Sequence, residues 1–111
     1  TIAASDKFIS EKPDLVRGFL RATKKAMEEA QTNKQAAVDA VANAVSEINK
    51  ERELKVLDKV IPFWISEDTS ANGLLWQTDA QWQNTIDTAV TLQLISTPLA
   101  ASDVYTDDFL K

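Results

Sequence analysis

Only two glycines, Gly18 and Gly73, and three prolines, Pro13, Pro62 and Pro98, interrupt 111 residues. Chains that turn often or run as sheets need many more residues of these types, so the scarcity favours a few long helices. Apolar residues recur at intervals of three and four, as one face of an α-helix requires. Leu15, Val16, Phe19, Leu20, Ala26, Met27 and Ala30 form one such stripe. Ala36, Ala37, Val38, Val41, Ala42, Val45 and Ile48 form a second, and Leu54, Val56, Leu57, Val60 and Ile61 a third. Trp82, Ile86, Ala89, Val90 and Leu94 supply a fourth. The fold class expected is all-α, with about five helices after a short extended N-terminus, in one helical unit over residues 1–111.

Local chemistry marks the ends of these helices. Ser5 before Asp6 is an N-cap for a turn through Phe8 and Ile9, because its hydroxyl accepts from a free N–H of the first turn. Pro13 opens a stronger helix, its missing N–H being unused there, and Asp14 suits the positive end. Gly18 weakens that helix by about 1 kcal/mol relative to alanine, which suggests close packing at its turn. Thr32-Asn33 is a stop and restart, Asn49 or Lys50 starts the next helix, and Pro62 ends it. Phe63 to Thr78 is the least regular stretch. Thr78 or Asp79 caps a helix that Pro98 breaks, and Thr106 caps a last turn that docks Phe109 and Leu110. The stripes carry no sustained heptad, so a long coiled coil is not expected.

Composition narrows function by exclusion. Neither histidine nor cysteine occurs, which removes Ser-His and Cys-His nucleophiles, the usual zinc ligands and disulfides. Twelve Lys and Arg against seventeen Asp and Glu give a formal charge of −5 with no basic run, so nucleic acid is not an expected partner. No cofactor and no metal are expected. Glu67-Asp68 lacks the glycine-spaced loop of a calcium site, and Gly73 lies in no glycine-rich phosphate loop. The adjacent pairs Glu28-Glu29 and Asp107-Asp108 point about 100° apart on a helix and read as solvated surface. Trp64, Trp76 and Trp82 read first as packing groups, since each can bury a large area. Trp82, in register with Ile86, is expected to be pure core. Trp76, after Leu74-Leu75 in a loop, is the better ligand or partner candidate.

Three passages, in order, resemble the C-terminal part of the substrate-binding proteins of ABC importers for nitrate, sulfonates, taurine and thiamine-pyrimidine precursors. The first runs from Ala4 to Thr23 and holds Pro13-Asp14-Leu15-Val16 opening a long helix. The second runs from Gly73 to Trp82, and the third is Val104-Tyr105-Thr106-Asp107-Asp108-Phe109-Leu110. Ala26 and Gln93 stand where glycines are common in that family, and both changes are expected to favour continuous helix. The resemblance implies that the chain is about the last third of a two-lobed α/β protein of the type II periplasmic-binding fold. Residues Thr1 to Ser5 would then be a strand near the hinge, with covering helices after it.

The same resemblance implies capture of a small solute such as a sulfonate, nitrate or pyrimidine, docking on an ABC permease, and a periplasmic or extracellular lipid-anchored location. Ser5, at the strand-to-helix turn, is then a cleft-edge candidate for ligand contact beside Trp76. An independent helical interaction module is the alternative, and the related pyrimidine-synthesis enzymes are a third, disfavoured by the missing histidines and cysteines. Helices built to cover a sheet keep an apolar face without it, so the isolated chain is expected to self-associate or to repack as a bundle.

Overall fold

A computed structural model describes residues 2–111. Residues 2–5 carry no regular structure, with Ser5 extended, and no strand occurs among the described residues; Thr1, expected to extend the same piece, lies outside them. Among the described residues six α-helices follow: α1 (Asp6–Glu11), α2 (Pro13–Thr32), α3 (Lys34–Ala44), α4 (Lys50–Val60), α5 (Glu67–Asn72) and α6 (Asp79–Thr91). Two 3-10 turns, Ile61–Trp64 and Ala101–Asp103, complete the order. The chain is all-α.

The starts follow the caps read from the sequence. Ser5 Oγ accepts from the Phe8 N–H at 3.2 Å, Asn33 Oδ1 from Ala36 at 3.0 Å and Asn49 Oδ1 from Arg52 at 3.0 Å. Thr78 Oγ1 accepts from Gln81 at 3.4 Å. Each satisfies a donor that the first turn leaves free. Pro13 opens α2, which runs unbroken past Ala26 to Thr32.

The ends differ from expectation in three places. The second stripe was expected to stay helical through Val45 and Ile48, yet α3 stops at Ala44. Val45 turns extended (φ −129°, ψ 101°), and the chain then turns toward Asn49, which caps α4. The stretch expected to be irregular contains both the 3-10 turn at Ile61–Trp64 and α5. A reciprocal capping box starts α5: Ser66 Oγ accepts from the Thr69 N–H at 3.1 Å, and Thr69 Oγ1 accepts from the Ser66 N–H at 2.8 Å.

Gln93 provides the third difference. Rather than continuing α6, it adopts φ 57°, the left-handed conformation usually left to glycine at helix ends. The Gln93 N–H bonds the Val90 carbonyl and the Leu94 N–H bonds the Ala89 carbonyl, each at 2.9 Å. This pair of bonds is a Schellman closure, and it ends α6 before Leu94 is reached.

Packing is sequential: α1 lies on α2, α2 on α3, α3 on α4, and α6 on the 3-10 turn at Ala101–Asp103. The buried core is small, consisting of Ala30, Val38, Leu74, Ile86 and Ala101. Accessible surface is 8243 Å², against roughly 6,100 Å² for a compact monomer of this size. The radius of gyration is 16.7 Å, against about 13 Å. The helices therefore leave much of their apolar surface uncovered. Gly18 shows this locally. A methyl group added there would meet nothing within 4 Å, so the close packing expected at its turn is absent from this chain.

Candidate functional site

Two concavities lie between the helices. The larger is a groove of about 1020 Å³ between α1 and the N-terminal half of α2 on one side and residues 102–109 on the other. Phe8, Phe19, Trp82, Tyr105 and Phe109 line it, which is five of the chain's eight aromatic side chains. That concentration makes it the candidate site, because ligand and partner seats are commonly apolar and aromatic with a few polar groups at the edge. Leu15 and Phe19 are four residues apart on α2, share a face and are each 60% exposed. The charged side chains of the lining are Asp6, Asp14 and Asp103, so its edge is acidic.

The wall opposite α2 is held by a chain of polar contacts. Tyr105 stacks on Trp82 with ring centroids 5.9 Å apart and planes 12° from parallel. Its hydroxyl donates to Asp79 Oδ1 at 2.8 Å, and the carboxylate beside it pushes the phenol up to about 12. Trp82 Nε1 donates to Gln77 Oε1 at 2.9 Å. Burial raises the Asp107 carboxyl above the ordinary carboxylate value, against the lowering effect of a backbone hydrogen bond from Gln77. Its Oδ1 atom is buried without a partner. Trp82 is thus half-buried on the groove wall rather than the pure core side chain expected from its register with Ile86. Across the groove the Arg17 guanidinium sits 5.1 Å from the centre of the Phe109 ring, a cation–π contact.

The second concavity, about 620 Å³, lies among α2, α3 and α4, with Trp64 also in its lining. Ala26, Ala30 and Ala37 give it room, and Met27 and Leu57 are among its walls. Two of its polar side chains are already engaged: Thr23 Oγ1 donates to the Phe19 carbonyl at 2.9 Å, and Asn33 caps α3. Its character is that of an uncovered helix junction.

Neither of the residues singled out from sequence, Ser5 and Trp76, lines this groove. Ser5 is exposed, and its hydroxyl is committed to the cap of α1. Ala4 and Asp6 on either side line the aromatic groove, and Ser5 does not. Trp76 is half-buried and lines neither concavity. The groove's own aromatic residues were visible in sequence only as parts of helical stripes and of the closing Tyr105 to Phe109 passage. Among the described residues, no group of three or more carboxylates, histidines or cysteines is placed to hold a metal ion, and no helix is long and apolar enough to cross a membrane.

With this geometry in place, comparison with known proteins adds the following. The family model described as NMT1/THI5 like matches residues 1–37. The chain is 28% identical over 112 residues to the riboflavin-binding protein RibY of Chloroflexus aurantiacus (strain ATCC 29366 / DSM 635 / J-10-fl). That alignment covers 98% of this chain and 32% of the relative, so the chain spans about a third of the relative's length. No solved structure is significantly similar. The similarity is at family level, to ABC-importer substrate-binding proteins of the NMT1/THI5-like group.

Proposed function

We propose that this chain is the C-terminal portion of a solute-binding protein that captures a small molecule for an ABC importer. The observation that carries this reading is an alignment running along nearly all of the chain to a third of one binding protein. The family match at residues 1–37 points the same way. The surface fits the same reading, since Leu15 and Phe19 stand open beside an aromatic groove and a further layer of the same polypeptide would cover them. Binding energy would close two lobes on the solute, and the closed form would dock on the permease at the periplasmic or extracellular face of the membrane. Among the solutes considered, a planar heterocycle of the flavin or pyrimidine type ranks above sulfonate or nitrate, because the similar protein binds riboflavin by its name.

On its own the 111-residue chain buries its apolar faces against further copies of itself. The deciding experiment is calorimetric titration of the full-length protein with riboflavin, a pyrimidine, a sulfonate and nitrate. Saturable 1:1 binding of one of them is expected, with riboflavin the first candidate. Silence across the whole panel would overturn the solute-capture reading, and micromolar binding to the isolated 111-residue chain would overturn its assignment as a partial unit.

A further inference from the structure

The two walls of the aromatic groove are held very unequally. On the α6 side the C-terminal segment is fixed twice: the Tyr105 hydroxyl on Asp79 and the Tyr105 ring on Trp82. The buried Ala101 in the adjoining 3-10 turn adds apolar contact there. Toward α2 the same segment is held through one side chain, Arg17, whose guanidinium lies over the Phe109 ring and also attracts the Asp108 carboxylate. Arg17 is half-exposed and is also engaged by Asp14 at 3.3 Å. A tie that depends on one exposed cation opens more readily than a ring held by both a stack and a hydrogen bond.

We propose that residues 104–111 form a strap that stays on α6 and releases from α2, so that this segment is the movable wall of the groove. Opening separates Phe109 from Arg17 and widens the space between α2 and Tyr105 while the Tyr105–Trp82 stack is preserved. The inference concerns this chain's own mechanics and holds whatever occupies the groove.

The absence of cysteine makes a distance measurement direct. Spin labels at Lys25→Cys and Asp87→Cys, on exposed positions of α2 and α6, in protein diluted with excess unlabelled chain so that only pairs within one molecule contribute, report the separation of the two walls by pulsed electron resonance. Phe109→Ala is expected to at least double the width of the distance distribution. Arg17→Gln, which leaves the tail intact, is expected to broadly match it. Tyr105→Phe, which keeps the ring, is expected to leave the width unchanged. An unchanged width in both Phe109→Ala and Arg17→Gln overturns the proposal, as does broadening in Tyr105→Phe that equals or exceeds theirs. If Phe109→Ala loses its helical circular dichroism, Arg17→Gln alone decides, because Arg17 lies on an exposed face.

Discussion

Tyr105 lies flat on Trp82, and the hydroxyl of that same ring is tied to the first residue of α6, Asp79. The stack and the hydrogen bond act on one side chain but respond to different perturbations. Because the folded phenol is raised to about 12 from an ordinary value near 10, the folded chain keeps a proton that the unfolded chain gives up. Below pH 10 both states are protonated and this group adds no pH dependence. Between pH 10 and about 12 the unfolded state binds fewer protons, so stability falls as pH rises. Urea midpoints measured from pH 9 to 12 should fall more steeply for the wild type than for Tyr105→Phe.

Asp107 gives the complementary case at acid pH. Burial raises its carboxyl, and one oxygen has no partner. The folded state therefore favours the protonated form, and ionisation costs stability as pH rises through the carboxylate range. Asp107→Asn keeps an oxygen for the Gln77 N–H and removes the charge. It is expected to raise the midpoint of urea unfolding at pH 7 and to leave it unchanged or lower at pH 3.

Two backbone positions should respond to substitution with opposite signs. Gln93 holds a left-handed conformation that costs a side-chain-bearing residue about 1–2 kcal/mol. Gln93→Gly removes that cost but loosens the unfolded chain, for a net gain of roughly 0.5–1 kcal/mol. Gly73 sits at φ 98° and ψ 163°, a region that is essentially glycine's own, and Gly73→Ala should cost about 1–3 kcal/mol. The added methyl would also meet Lys24 Nζ at 2.6 Å, but a lysine tip can swing aside, so the backbone sets the loss. Denaturant unfolding of the two variants checks both signs.

Leu15 and Phe19 are each 60% exposed, so replacing both by serine should change monomer stability by about 0.5 kcal/mol or less per site. The same change should sharply reduce self-association of the isolated chain. Sedimentation velocity between 5 and 200 µM is the measurement. A wild-type chain that stays monomeric over that range would contradict the expectation.

What was legible in the sequence was mostly local. Ser5, Asn33, Asn49 and Thr78 each announce a helix start because a cap needs only its own first turn. Helix ends were less readable. Gln93 closes α6 in a conformation its residue type does not advertise, and α5, six residues long, is too short to show a period. Its signal was instead the Ser66–Thr69 pair with Glu67 and Asp68 in the first turn, a cap pattern rather than a stripe. The candidate groove lay out of reach because it brings Phe8 and Phe19 opposite Phe109 and Tyr105, a pairing that no local rule encodes. Ser5 was singled out at a strand-to-helix turn that the family resemblance implied, and Trp76 for its place in a loop; Ser5 caps α1 as read, and neither side chain lines this groove.

The open space over Gly18 turns that position into a sizing gauge. In the short chain, alanine there should add about 1 kcal/mol of helix stability, and still bulkier residues should be tolerated. In the longer solute-binding protein proposed above, a neighbour seated on the groove would make each added carbon progressively harder to fit. The side-chain volume at which tolerance ends would then measure, from the outside, how near that neighbour's surface comes to the helix.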